Sequence, residues 1–227
     1  MSKISFVVPV WDGDAFLSET IESIRNQSLK DIEIIVIDDC SPDFTSDLME
    51  WYVKQDERIR YHRFEENKGV QEARNFGNQQ AQAELICVSD QDDLSAPKRA
   101  EFSYHYMKRF PEINCITSAY HECNSDGFPI RKWQPETITK ETLLDGSYLV
   151  SGGWLHSSAC YRKEDIFKIP YRQMDGETDD WRFLIDWLDA GMKFKSVKAI
   201  LANKRLGPDR EMNRRRLSQG QEPNFVL

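Results

Sequence analysis

Long apolar runs are missing from this chain of 227 residues. No stretch approaches the ~20 consecutive apolar residues of a membrane-spanning helix, so none is expected. The opening Met1-Ser2-Lys3-Ile4-Ser5-Phe6-Val7-Val8-Pro9 is a short, soon interrupted apolar run, so a secretory leader is not expected in it. Paired cysteines are lacking too. Cys40, Cys87, Cys115, Cys123 and Cys160 are odd in number and form no Cys-x-x-Cys motif. That argues for reduced thiols in a cytoplasmic protein rather than a disulfide framework. There is no surplus of positive charge. Thirty Lys and Arg face 38 Asp and Glu, and the net charge of −8 counts against general nucleic-acid binding. Neither an internal repeat nor a low-complexity segment occurs. No Gly-x-Gly-x-x-Gly follows the first apolar run, which disfavours a nicotinamide dehydrogenase. No glycine-rich loop with a lysine stands there either, which lowers the rank of a nucleotidyltransferase.

What is present suffices for a core, since 40% of residues are hydrophobic and 11% aromatic. The length fits one large domain or two tightly fused lobes. Apolar strands are expected at Ile4–Val10, Ile32–Ile37, Ile59–Phe64 and Leu85–Ser89, with helices between them. The first helix carries Leu17, Ile21 and Ile24 behind a cap at Asp14; others span about Thr45–Lys54 and Val70–Gln82. Alternating strands and helices with fully apolar strands predict an α/β fold, a mostly parallel sheet covered on both faces. After Pro97 the pattern changes: a helix over roughly Pro97–Arg109, a strand near Asn114–Ala119, then a polar, turn-rich stretch through Gln134. Ser151-Gly152-Gly153-Trp154 reads as a loop requiring close backbone approach. Asp179–Ala190 is an amphipathic helix stopped by Gly191. From Lys204 the tail is basic, with Arg205, Arg210, Arg214, Arg215 and Arg216.

Polar residues gather at the C-terminal ends of the strands, the edge where such sheets bind ligands. The densest patch is Asp90-Gln91-Asp92-Asp93. Like charges repel, so three carboxylates together make sense around a divalent cation. Asp90 and Asp92, two apart, would leave one face of an extended segment as hard oxygen ligands for Mg²⁺ or Mn²⁺. The competing reading is an acidic turn before a helix led by Ser95 and Pro97. Asp38-Asp39 end the second strand, as nucleoside acceptors or as caps of the next helix. Gly69 marks a turn before Arg74, whose planar fork suits phosphate or nucleobase; a solvated helix charge is its alternative. Glu177-Thr178-Asp179-Asp180-Trp181 opens a helix, where carboxylates favour the dipole. One of them can instead act as general base on a sugar hydroxyl, with Trp181 stacking on a sugar or anchoring the core. His156 reads as a structural histidine, with acceptor contact as the alternative.

Taken in order, these segments resemble family 2 glycosyltransferases of the GT-A fold over about residues 3–205. They are Pro9-Val10-Trp11-Asp12, Val36-Ile37-Asp38-Asp39-Cys40-Ser41-Pro42-Asp43, Asn67-Lys68-Gly69 with Ala73-Arg74-Asn75-Phe76-Gly77, Asp90-Gln91-Asp92-Asp93 with Pro97, and Asp179-Asp180-Trp181 ending in Ala190-Gly191. The resemblance implies a Rossmann-like nucleotide-binding half (1–96) fused to a smaller acceptor-binding half (97–227). It implies an inverting hexosyl- or N-acetylhexosaminyltransferase that uses a nucleotide-diphosphate sugar, first a UDP-sugar, with Mn²⁺ or Mg²⁺. Pro9 and Val10 would line the nucleotide pocket. Asp38 and Asp39 would face the nucleobase, and Gly69 and Arg74 the donor. Asp90 would touch ribose or sugar, Asp92 the metal, and Asp180 would be the base. A saccharide or lipid-linked saccharide acceptor follows, in bacterial polysaccharide or glycolipid assembly, with peripheral contact at the inner membrane face through the basic tail.

Several positions depart from that pattern. Trp11-Asp12 stands for Tyr-Asn, and Cys40 for Gly or Asn. Asp179 stands where Glu is commoner. No late histidine follows Leu201; Arg205-Leu206-Gly207-Pro208 stands there, and the basic tail is either its phosphate-gripping substitute or a solvated helix. The Gln-x-x-Arg-Trp motif of processive synthases is absent, so one sugar per encounter is expected. A non-catalytic sugar-nucleotide-binding module is the alternative.

Overall fold

The structure, a computed structural model, describes residues 2–144, 154–172 and 179–206. Four strands and three helices alternate first: β1 (Ile4–Val10), α1 (Leu17–Arg25), β2 (Ile32–Asp38), α2 (Thr45–Gln55), β3 (Ile59–Arg63), α3 (Val70–Gln80) and β4 (Leu85–Val88). There follow β5 (Leu94–Ser95), α4 (Arg99–Arg109), β6 (Cys115–Cys123), β7 (Pro129–Trp133) and α5 (Lys140–Leu144). A 3₁₀ turn at His156–Ser158 leads into β8 (Cys160–Arg162), α6 (Lys163–Lys168), α7 (Asp179–Asp189) and β9 (Phe194–Arg205).

One sheet joins all these strands in the order β3-β2-β1-β4-β8-β6-β9-β5, with β7 beside β6. The pairings make β1 to β4, β6 and β9 run one way and β5, β7 and β8 the other. The sheet is therefore mostly parallel, as its apolar strands predict. Side chains alternate across it. Ile4, Phe6, Val8 and Val10 of β1 pack with Leu17, Ile21 and Met49 on one face. Val7 joins Ile35, Ile37, Ala73 and Trp187 on the other. Helix α3 lies close on that second face because Gly77 has no side chain; a Cβ there would sit 2.5 Å from Val7 Cγ1.

Local expectations need correction where capping or edge exposure decides. Helix α1 starts at Leu17 with no side-chain cap, and the Asp14 N–H donates to Asp43 instead. Ser95 belongs to β5, and α4 starts only at Arg99. The polar stretch before Gln134 contains β7, whose first four residues are exposed and so carry no apolar signature. Strand β9 hides behind its lysines. Lys204 and Arg205 close that strand rather than open a tail, and Arg205 is 1% exposed. The remaining tail arginines, Ser151 to Gly153, and Glu177 with Thr178 lie outside the described residues. All five cysteines are free thiols. Among the described residues no helix is long and apolar enough to cross a membrane.

Candidate active site

Parallel register delivers three loops to one edge. Val10 lies opposite Asp38, and Val7 opposite Val88, so the acid run after β4 emerges level with Pro9 and Val10. These two residues are buried at the end of β1. The β1 and β2 loops are bonded together: Asp39 N–H donates to Val10 C=O at 2.8 Å, Asp12 N–H to Ser41 Oγ at 3.2 Å and Gly13 N–H to Thr45 Oγ1 at 3.2 Å. Asp12 (φ 55°) and Cys40 (φ 62°) both occupy the left-handed region. That explains why a glycine or asparagine suits position 40.

The paired aspartates divide their tasks. Asp38 is fully buried. Its carboxylate accepts from Ser41 N–H at 2.7 Å and Tyr61 O–H at 2.5 Å, with Arg63 Nη1 at 3.5 Å. Burial, then this hydrogen bond to the carboxylate, push the Tyr61 phenol well above its ordinary pKa. Asp39 accepts from Lys68 N–H at 2.6 Å and Gly69 N–H at 2.8 Å. Gly69 has φ +91° and ψ 155°, a conformation open essentially to glycine alone. Asp38 thus builds the turn, and Asp39 fixes the corner that starts α3. An open cleft of about 800 Å³ lined by Arg63, Phe64, Lys68 and Phe76, among others, adjoins that corner. A second cavity, about 510 Å³, contains Glu84 before β4 and so belongs to the opposite edge.

Asp90–Asp93 is not extended. Asp93 N–H reaches Asp90 C=O at 3.4 Å, closing a turn, so the expectation that Asp90 and Asp92 share one face of a strand is corrected. Interior bonds hold this turn. Trp11 N–H donates to Gln91 Oε1 at 2.7 Å, and Gln91 Nε2 donates to Trp11 C=O at 2.9 Å. Thr20 Oγ1 contacts the Gln91 and Asp93 carbonyls at 2.8 and 3.0 Å. The Asp93 carboxylate accepts from the Ser157 hydroxyl and from Arg205 N–H. Sequence reasoning missed Gln91, Ser157 and the buried role of Arg205. Only Gln91 carried a signal, its place inside the acid run.

A path of contacts leads from this turn to α7. Arg74, 6% exposed on α3, donates to Asp90 Oδ1 at 3.0 Å, and its guanidinium lies 5.5 Å from the Tyr171 ring centre. Asn75 pins Tyr171 by bonds to its C=O (2.8 Å) and N–H (3.0 Å). Tyr171 stacks on Phe183 at 4.5 Å, and Phe183 lies three residues past Asp180 in α7. The Asp180 carboxylate accepts from Trp181 N–H at 3.0 Å, and Trp181 is half-buried. Phe183 and Trp187 are buried among Tyr161, Tyr171 and Phe194. At roughly 1.5–3 kcal/mol for each fully buried large apolar side chain, they hold α7 in place. His156 is buried beneath, its Nε2 2.7 Å from Tyr171 Oη, as a structural histidine would be. Burial first, then the nearby Arg74 and Arg99 charges, hold its pKa well below 6.5.

Among the described residues no group of three or more His, Cys, Asp or Glu is arranged to hold a metal ion. The donor chemistry still fits one kind of cation. Mg²⁺ is commonly held by one or two carboxylates, with water and substrate phosphates completing the shell. Asp90 and Asp92, both in the turn after β4, are carboxylates of the kind that would suit such a cation.

A curled, mostly parallel sheet with acidic turns at its C-terminal edge defines a GT-A glycosyltransferase fold. Residues 5–167 match the model described as "Glycosyl transferase family 2", and the chain belongs to that family. It is 31% identical over 150 residues to "Putative teichuronic acid biosynthesis glycosyltransferase TuaG" of Bacillus subtilis (strain 168), covering 64% of this chain and 58% of that one. It is 27% identical over 199 residues to "Uncharacterized glycosyltransferase MJ1057" of Methanocaldococcus jannaschii, covering 87% and 68%. Two solved structures share the fold. TarS 1-349 of S. aureus in complex with UDP-GlcNAc has a TM-score of 0.74 at 18% identity, covering 92% of this chain and 60% of that one. The mannosyltransferase PcManGT of Pyrobaculum calidifontis, with GDP-Man and Mn²⁺, scores 0.71 at 14% identity, covering 96% and 60%. The chain thus spans about three fifths of the length of TuaG and of both solved chains.

Proposed function

We propose that this chain transfers a hexosyl or N-acetylhexosaminyl group from a nucleoside-diphosphate sugar to an acceptor hydroxyl, with inversion. Residues 1–96 bind the donor and residues 97–227 the acceptor. Pro9, Val10 and the Asp38-Asp39 turn border the nucleoside, Asp38 acting through the turn it builds. Gly69 and Arg74 flank the donor, Asp90 contacts its ribose or sugar, and Trp181 offers an apolar ring beside the transferred sugar. Asp180 takes the proton of the acceptor hydroxyl as the new glycosidic bond forms and the bond to the diphosphate breaks. A divalent cation at Asp92, Mn²⁺ or Mg²⁺, supplies neutralising charge for the diphosphate when bound.

The path Asp90–Arg74–Tyr171–Phe183 is the observation that carries this reading. It links the acid turn to the helix of Asp180 through side chains in contact. The UDP-GlcNAc and GDP-Man held by the two similar structures support a nucleotide-sugar donor, and a UDP-sugar is the first to test. The name of the teichuronic acid relative supports a bacterial polysaccharide or glycolipid product, made at the cytoplasmic side of the membrane. Titration calorimetry with UDP-, GDP- and dTDP-sugars, with and without Mn²⁺, tests the proposal. One nucleotide class should bind more tightly with Mn²⁺ and release its sugar to an acceptor. If none binds, the donor assignment fails.

A further inference from the structure

Arg205 is the last residue of β9, more than a hundred positions from the acid turn, yet 1% exposed against it. Its N–H donates to Asp93 Oδ1 at 3.0 Å and its Nε to the Asp92 carbonyl at 3.2 Å. Nη1 donates to the Ser125 carbonyl in the β6–β7 turn, and Nη2 to Glu19 on α1 at 2.7 Å. The guanidinium centre lies 4.4 Å from the Phe16 ring centre. Burying a guanidinium is costly unless its donors are satisfied. Here the planar fork is shared among three segments, so it cannot shift without breaking several bonds at once. Its carboxylate partner, Glu19, has a side chain 56% exposed and is a weak anchor on its own. The fork's firm attachments are therefore carbonyls, and one of them belongs to Asp92.

We propose that Arg205 is the positioning residue of the acid turn. It fixes from the buried side the backbone that carries Asp92, and so sets how tightly that carboxylate takes a divalent cation together with a nucleoside diphosphate. The second half of the proposal rests on the reading of Asp92 given above. Asp93, filled by Ser157 and Arg205, is the inner anchor of the same turn.

Arg205→Lys keeps the charge but loses the fork, and Arg205→Met loses both. Arg205→Lys should fold, with its melting temperature within a few degrees of the parent. Its affinity for Mn²⁺ with UDP should fall about tenfold, the scale seen when a partner behind a metal ligand is removed. Metal-free UDP binding should change less than twofold. Saturating Mn²⁺ should return kcat towards the parent value, a recovery that general unfolding would not allow. Hydrogen exchange should speed up at residues 90–93 and stay unchanged in β1 to β3. Arg205→Met should go further the same way; if it fails to fold, Arg205→Lys decides. Parental Mn²⁺ affinity and parental exchange at 90–93 in Arg205→Lys would overturn the proposal. A parent protein whose UDP affinity ignores Mn²⁺ would overturn the metal reading instead, and exchange at 90–93 would still decide whether Arg205 holds the turn.

Discussion

The two sides of the site are built differently. On the β1–β3 side, main-chain amides do the holding: Asp39 clamps Lys68 and Gly69, and Asp38 clamps Ser41. On the β6–β9 side, side chains do the holding: Ser157 and Arg205 bond the acid turn, and Tyr171 and Phe183 join Arg74 to α7. Backbone clamps follow from parallel register and turn chemistry, so a short motif encodes them. Side-chain anchors depend on packing between segments far apart in the chain, and any one can be replaced by another solution. Recognition on the first side is therefore expected to be rigid, and chemistry on the second to be tunable.

Substitutions can break or sharpen that contrast, and the largest effect belongs to the second side. Asp180→Asn should lower kcat by about 10²–10⁴, the usual share of a general base, while donor affinity stays at the parental level. Near-parental turnover would remove Asp180 from the mechanism. Asp92→Ala should weaken Mn²⁺-dependent UDP binding by roughly 100-fold, within the several kcal/mol a catalytic cation supplies. Unchanged calorimetry would place the metal elsewhere. On the first side Gly69→Ala forces a Cβ into a glycine-only conformation and should cost about 1–3 kcal/mol, read by denaturant unfolding. A cost near zero would mean that the corner is not rigid.

His156 offers a pH test of the packed second side. Its folded pKa lies below 6.5 because it is buried. The unfolded chain therefore binds more protons once pH drops under 6.5, and stability falls by up to about 1.4 kcal/mol per pH unit until the folded group also protonates. Above 6.5 this slope fades over about one pH unit. Unfolding curves from pH 7.5 to 5 should steepen in the parent and flatten in His156→Gln; equal slopes would mean that the site is hydrated. His62, also lowered chiefly by burial, adds a slope common to both proteins. The smallest expected effect is Cys40→Gly, a gain of about 0.5–1 kcal/mol. Relief of the left-handed strain is partly offset by the freedom glycine gives the unfolded chain.

Much of the first half was legible because burial on both sheet faces writes itself as Val and Ile runs, and because Asp, Gly and Pro mark the loops between them. The acid turn was visible as composition but not as geometry: four polar residues cannot tell a strand end from a turn until Thr20, Trp11 and Ser157 are seen to hold it. Strand β9 was hidden because exposed and half-buried residues, Lys195 and Lys198 among them, interrupt its apolar pattern. Arg205 was misread because a buried arginine and a solvated one are identical in sequence. Tyr171 carried no signal, and Asn75 stood only as one residue of the Ala73–Gly77 segment, because their pairing bridges 96 positions.

The most direct test of a shared crevice is anomalous scattering from Mn²⁺ in crystals grown with UDP. The account predicts one peak within coordination distance of both the Asp92 carboxylate and the diphosphate, in a cavity that Asp180 also lines. A peak away from Asp92, or an Asp180 carboxylate facing a different surface, would contradict it.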